Sequence, residues 1–538
     1  MSDQELVPAA KKVRDFERRP YLDAYLQAYR EETGQEPVLT AELTAEDDFG
    51  TQDVLYPLAD GYYVHLRPTK AGLSYHVIEP PLDEATLTRL AAIREDIFRA
   101  ALYRPPPQGQ EELEQNLLAL FDEVGGAGDL NATLQDAMKR RLIRDVARFG
   151  PLQPFLLDPY LEDIQGVGTD EIHVIHKYYD MIPSNVQFPD LDVLDGYIRN
   201  LSERIGRPVS DSRPIVDATL PDGSRINIVY SEDVSKKGPS FSIRRVHADP
   251  ISITQIIQWG TMTAEMAAYV WLCLENGMSL FVCGEAACGK SATLNALMGF
   301  INARDKIYTA EDTPEVRPPH PVWQRLLTRD TGPVDARVTM FDLLKAALRS
   351  RPNYIVVGEI RGAEGNVAFQ AMQTGHPTVA TFHATDKVKM IQRLSADPIN
   401  VPLSFMDNLN VAIFQQAIYR DGRLIRRVTA VDEIQGYSER DGGVITLPVF
   451  SYKDRGDTHI FQGNNNSFIL EKKIAEQHGY EDPSEIYRVL QHRAAVLTGM
   501  VEHGITRFDD VNQLLIKYND LGDDALPFKP KSDYKGGH

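Results

Sequence analysis

Cysteine is nearly absent from this chain. Only Cys273, Cys283 and Cys288 occur among 538 residues, and no two form a CxxC pair. That argues against a disulfide framework and against a tetra-cysteine zinc module. Long apolar runs are missing too: the most apolar helical stretch, 266–274, is closed by Glu275 well short of a membrane span. The opening residues, MSDQELVPAAKKVRDFERR, are charged from the start and lack the apolar core of a secretory signal. A cytoplasmic location is therefore expected. Positive charge is in deficit, with 57 Lys and Arg against 77 Asp and Glu and a formal net charge of −20. A broad nucleic-acid surface needs the opposite balance, so no nucleic acid is expected as the main partner, although a local basic patch stays compatible with the count. What remains is an ordinary globular composition, 43% hydrophobic and 25% charged. The length suits roughly two to four domains.

One stretch organises the rest. Residues 284–291, GEAACGKS, have the spacing G-x-x-x-x-G-K-[ST] of a phosphate-binding loop. The preceding SLFVCG (279–284) reads as a short buried strand, and the following ATLNALM (292–298) reads as the start of a helix. Gly284 and Gly289 let the backbone wrap so that successive N–H groups point at phosphate oxygens, and the helix start adds its positive dipole end. Lys290 is placed to reach the β- and γ-phosphates, and the Ser291 hydroxyl to ligate Mg²⁺. The expected nucleotide-binding residues are Gly284, Glu285, Ala286, Ala287, Cys288, Gly289, Lys290, Ser291 and Ala292, with ATP and Mg²⁺ as ligands. Cys288 reads as a small side chain filling the loop; the competing reading is a thiol activated by Lys290 and the helix N-terminus.

Upstream, residues 1–30 suggest an amphipathic helical arm, and 54–79 hold short strand-like runs. Asp83 opens a helical pattern that ends at Arg104 and three prolines. Further helices are expected over 111–124 and 131–149, separated by a glycine-rich joint at 125–128. From Gly150 to about Arg245, short strands at 171–177, 225–230 and 240–246 surround a helix near 191–205. Beyond 251, strands alternate with helices, which implies a parallel sheet. A hairpin follows around Asp421-Gly422, and the tail from 521 is expected to be disordered. The division reads as an N-terminal docking region (1–130), a second small α+β domain (131–248), an ATPase domain (249–510) and a C-terminal tail (511–538).

In a parallel sheet, chemistry sits at the carboxyl ends of the strands. Glu311 and Asp312 close the run KIYTAED, Glu359 closes YIVVGE, and His383 closes TVATFH. Hydrolysis needs a metal to neutralise the phosphates and a carboxylate to orient or deprotonate water. Glu311 and Asp312 are candidates for polarising the water or holding the metal, and Glu359 for reaching Mg²⁺ through water. A strand-end acid is often only a helix cap, but three after successive strands of one nucleotide domain favour chemistry. His383 is placed to sense a γ-phosphate by hydrogen bonding, against simple packing. Arg207, Arg213 and Arg225 surround a Pro-Asp-Gly-Ser turn; they read either as surface salt bridges or as guanidinium groups that stabilise a γ-phosphate.

Taken together, GEAACGKSATLNAL (284–297), the acidic box YTAEDTPEVRPP (308–319), the atypical Walker B RPNYIVVGEIRGAEG (351–365) and the histidine box QAMQTGHPTVATFHATD (370–386) resemble the secretion-ATPase superfamily of type II secretion, type IV pili and archaeal flagella. RPVSDSRPIVDATLPDGSRIN upstream and NLNVAIFQQAIY downstream extend the likeness over about 145–470. Within it, the chain looks most like the archaellum motor and assembly ATPase. The resemblance implies an α/β fold with a RecA-like core, preceded by a small α+β domain and a helical N-terminal region. It implies a homo-hexamer in which the domain before the core brings arginines to the nucleotide, and it maps the catalytic glutamate to Glu311 and a Walker B acid to Glu359. It also implies a polytopic membrane platform protein and a cytoplasmic RecA-like regulator as partners, placing the protein at the inner face of the cell membrane. The loop departs from the family by reading AACGKSAT where TASGKTTT is expected; Ser291 keeps the metal hydroxyl. An archaeal type IV pilus or type II secretion ATPase, a nucleic-acid-translocating motor and a non-hydrolysing nucleotide sensor are the alternatives.

Overall fold

The computed structural model describes residues 18–43, 53–70, 72–125, 130–179, 181–245, 250–329, 337–420, 423–440 and 442–531. The chain divides into two compact units, Met1–Ala248 and Asp249–His538. Of the expected features, the first part of the N-terminal arm, residues 126–128 of the glycine-rich joint and the Asp421-Gly422 turn lie outside the described residues.

In the first unit, the helix Pro20–Thr33 packs on a four-stranded sheet built from Val38–Leu39, Val54–Pro57, Tyr63–Thr69 and Gly72–Ile78. Helices Glu84–Ala101, Gln110–Glu123 and Ala132–Val146 then form a bundle around Leu90, Ile97, Phe121, Met138 and Leu142. Asp83 and Asn131 cap two of these helices, each accepting an N–H three residues on. A six-stranded antiparallel sheet follows, including strands Leu161–Val167, Met181–Pro183 and Ile215–Thr219 that the sequence patterning left out. The expected boundary at 130/131 cuts through a continuous core. Met138 and Leu142 close the bundle begun at residue 84, and Tyr56 and Tyr75 of the first sheet share a cluster with Phe155 and Ile164 of the second part.

The second unit has a mixed α/β architecture. Its nine-stranded sheet runs Trp323–Leu327, Ile307–Glu311, Tyr354–Ile360, Thr378–Phe382, Leu280–Gly284, Val411–Arg420, Arg423–Ser438, Gly443–Lys453, Thr458–Phe461. The first six strands are mutually parallel and the last three extend the sheet antiparallel. This is the RecA-like P-loop arrangement the sequence implied. The central strands are buried on both faces, which is why they read as near-continuous apolar runs rather than alternating ones.

The tail is corrected. The helix Phe508–Leu521 crosses the expected 510/511 boundary and places Val511, Leu515 and Tyr518 in the core of the second unit. Beyond it, residues 522–531 are ordered against the same unit. The Phe528 ring stacks on His503 with centroids 4.8 Å apart, and Lys531 pairs with Glu502. Gly499 makes this possible: a Cβ there would stand 2.3 Å from the Phe528 ring.

Candidate active site at the carboxyl ends of the strands

The phosphate-binding loop has the form its spacing predicts. The strand Leu280–Gly284 is buried throughout, and the helix Lys290–Leu297 starts directly after Gly289, whose φ of +92° only glycine adopts readily. Glu285, Ala286 and Ala287 are exposed, Gly289, Ser291 and Ala292 are half-buried, and Cys288 is buried. The Lys290 ammonium folds back to donate to the Glu285 carbonyl at 2.7 Å, a bond a phosphate oxygen can replace. Burial pushes the Cys288 thiol above its ordinary range despite the opposing charge of Lys290, which favours the packing role over an activated thiolate.

Glu311 ends the strand Ile307–Glu311 with no solvent exposure. Its Oε1 accepts the backbone N–H groups of Glu315 and Val316, both at 2.7 Å. Its Oε2 has no hydrogen-bond partner among the described residues; Arg325 Nε stands 3.7 Å away, an ion-pair distance too long for a hydrogen bond. Burial dominates and raises the carboxyl to about 7, against the lowering effects of the Val316 N–H and Arg325. Such a group exchanges protons near neutral pH. Its neighbour Asp312 is exposed and accepts the Thr328 hydroxyl at 2.9 Å.

Glu359 and His383 meet. His383 Nε2 lies 2.6 Å from Glu359 Oε1, although the approach is not aligned as a hydrogen bond, and Arg361 donates to Glu359 Oε2 at 2.6 Å. Burial acts to raise the Glu359 carboxyl, but Arg361 and Lys290 together hold it below the usual range. His383 is lowered, by burial first, and is therefore neutral at pH 7. Arg393 donates to the His383 carbonyl at 2.8 Å and fixes the end of that strand. A cleft of about 460 Å³ joins the loop to the histidine, lined by Gly284, Glu285, His383, Thr385, Lys389 and Arg393.

Loop, acids and histidine thus share the carboxyl end of one sheet. The sequence reading did not single out Arg325, Arg361 or Gln415. Arg361 had a signal, being two residues beyond Glu359; Arg325 and Gln415 reach the site from strands distant in the chain. The three upstream arginines belong to the first unit and sit on different elements. The half-buried Arg207 follows the helix Leu191–Arg204, the exposed Arg213 closes a turn with Ser210, and the half-buried Arg225 opens the strand Arg225–Val229.

Comparison with known proteins agrees with this core. A family model described as "Type II/IV secretion system protein" matches residues 145–429. The uncharacterized protein MJ0900 of Methanocaldococcus jannaschii is 47% identical, over 98% of this chain and 99% of its own length. A second uncharacterized protein of that organism, MJ1287, is 40% identical over 46% of this chain and 90% of its own. Among solved structures, the ATPase DotB of Legionella pneumophila aligns over 68% of this chain and 94% of its own, at 16% identity and a TM-score of 0.39. The matched span holds the phosphate-binding loop, both glutamates and the histidine in one stretch of chain, and on that match the chain belongs to the type II/IV secretion system protein family.

Proposed function

We propose that this protein is a hexameric ATP-hydrolysing motor that drives assembly of an archaellum filament through a membrane platform protein. The observation that carries the hydrolytic reading is Glu311. A carboxylate with one oxygen pinned by two N–H groups and the other without a hydrogen bond has one oxygen available to take a proton from water. Its raised pKa suits it to receive that proton at neutral pH. Lys290 would leave the Glu285 carbonyl for the β- and γ-phosphates, and His383 would donate a hydrogen bond where the γ-phosphate ends.

The donor set fits Mg²⁺ bound with its nucleotide rather than by a protein cage. No cluster of three or more metal-ligating side chains exists among the described residues. Mg²⁺ takes few protein ligands and completes its shell with phosphates and water. Ser291 would supply a hydroxyl and the ionised Glu359 a water-mediated contact. Asp312, already engaged by Thr328, would take part only by releasing that bond. When bound, the metal neutralises developing phosphate charge.

Arg207, Arg213 and Arg225, on the first unit, are the proposed sources of guanidinium over the triphosphate within the hexamer. Nucleotide occupancy would then set the relation of the two units, which is how hydrolysis becomes motion. The archaellum role rests on the likeness of 259–285, 346–378 and the NNNSFILEKKIAE segment to that branch; a cytoplasmic RecA-like regulator belongs to the same reading. No described helix is long and apolar enough to cross a membrane, so force would pass to a separate platform protein.

The test is ATP turnover of the wild type against Lys290→Ala and Glu311→Gln. Loss in both is expected, and wild-type turnover in both would sink the assignment. Crosslinking to the neighbouring platform protein separates an archaellum role from a pilus or secretion role, and activation by nucleic acid instead would point to a translocating motor.

A further inference from the structure

The strand Val411–Arg420 runs parallel to the loop strand, with Gln415 directly opposite Gly284. Gln415 is 1% exposed, and both ends of its amide are used. Its Nε2 donates to the Cys288 carbonyl at 2.6 Å, and its Oε1 accepts the hydroxyl of Thr293, itself buried, at 2.7 Å. One side chain therefore ties the loop to the first turn of the helix that follows it. The contact is tight on both glycines of the motif. A Cβ on Gly284 would stand 2.3 Å from the Gln415 carbonyl oxygen, and one on Gly289 would stand 3.0 Å from Gln415 Nε2. The two glycines are thus required by Gln415 beneath the loop as well as by a phosphate above it.

The consequence follows from peptide geometry. In a trans peptide the carbonyl and the next N–H point to opposite sides. Drawing the Cys288 carbonyl toward Gln415 turns the Gly289 N–H the other way, to the side left for an anion. Without that bond the peptide is free to rotate, and the donor loses its fixed direction. The Cys288 carbonyl can only accept, so it fixes the Nε2 end of the amide on the loop, and the Thr293 hydroxyl completes the device by donating to the Oε1 that remains.

We infer that Gln415 is a positioning residue for phosphate recognition, holding the 288–289 peptide so that the Gly289 N–H faces the β-phosphate of a bound nucleotide. This rests on the reading of 284–291 as a nucleotide site. Gln415 touches no ligand itself, and its effect should fall on ground-state binding more than on the chemical step.

The experiment uses the full chain with three substitutions: Gln415→Met, which keeps length and volume but removes both hydrogen bonds, Thr293→Val and Lys290→Ala. ADP affinity is measured by calorimetric titration, with KM and kcat for ATP and the melting midpoint of the nucleotide-free protein. Gln415→Met is expected to weaken ADP roughly tenfold to hundredfold. KM for ATP should rise in parallel while kcat stays within about threefold, the pattern of lost uniform binding. Thr293→Val should weaken ADP several-fold. A lower melting midpoint with wild-type ADP affinity in Gln415→Met would overturn the positioning role and leave only packing. Should Gln415→Met fail to fold, Thr293→Val decides, and unchanged affinity there overturns it. Lys290→Ala separates the two levels: wild-type ADP binding in that variant removes the nucleotide reading itself, whereas its loss beside wild-type binding in Gln415→Met removes only the role of Gln415.

Discussion

Glu311 and Glu359 end neighbouring parallel strands, yet their surroundings push them in opposite directions. Glu311 is sealed from solvent, meets neutral N–H donors on one oxygen, and has the Arg325 guanidinium 3.7 Å from the other. Burial wins there and the carboxyl rises to about 7. Glu359 is half-buried, and the hydrogen bond and charge of Arg361, with the Lys290 ammonium, outweigh burial. The same residue type thus titrates near neutral pH at one strand end and is held as an anion at the next. Paired carboxylates whose environments separate their pKa values mark a division of labour between base and electrostatic partner.

The strongest way to break this comparison is Glu311→Gln. Removing a general base costs about 10²- to 10⁴-fold in turnover, while ATP affinity should hold, because Lys290 and the loop are untouched. Turnover within a few-fold of wild type would show that Glu311 is not the base. The wild-type rate should also fall on acidification through pH 7, where Glu311 takes up its proton. The residual rate of the variant should lack that limb.

Stability offers a second measurement on the same carboxyl. The folded state raises Glu311 from 4.5 to about 7, so between those values the folded protein holds more protons than the unfolded chain. Stability then declines as pH rises through that window, by about 3 kcal/mol at most. Glu311→Gln has no proton to lose. Its melting midpoint should exceed that of wild type at pH 8, with the advantage shrinking toward pH 5. A constant difference across this range would mean that Glu311 is not perturbed by burial.

Glu359→Gln sharpens the other half of the comparison. A residue that holds Mg²⁺ through water acts as an outer partner, and its loss typically costs 10- to 100-fold. Raising Mg²⁺ should recover part of the Glu359→Gln deficit and none of the Glu311→Gln deficit. Equal responses of the two variants to Mg²⁺ would erase the distinction.

Most of this site was legible in the sequence because its parts are local. A glycine-lysine loop, and acids closing apolar runs, need only neighbouring residues to be recognised. The fully buried parallel sheet helped, since Ile355, Val356 and Val357 form an unbroken apolar strand leading to Gly358 and Glu359. What escaped depends on contacts across long stretches of chain. Gln415 meets Cys288 and Thr293, and Arg325 meets Glu311 from an edge strand. The tail escaped for the same reason: its composition is polar, and one aromatic ring seated over Gly499 and His503 anchors it. The strands Leu161–Val167 and Ile215–Thr219 carry alternating polar residues and lack the long apolar runs that mark the parallel sheet of the second unit.

Gly358 offers the smallest and most local perturbation of the contrast between the two glutamates. It precedes Glu359, so its environment is usually read as part of the Walker B strand. Yet a Cβ at 358 would stand 3.3 Å from Glu311 Cγ and 3.5 Å from Glu311 Cβ. Its φ lies outside the left-handed region, so alanine is admissible to the backbone and the substitution acts through space alone. Glu311 has little room to yield, with Oε1 held by two N–H groups. Gly358→Ala should therefore displace Oε2 by a few tenths of an ångström, lowering turnover several-fold at a stability cost of about 1 kcal/mol. ADP affinity and the Mg²⁺ requirement should not change, because neither the loop nor Glu359 is moved. A loss that follows Mg²⁺ instead would assign the glycine to Glu359, and with it the space between the two acids.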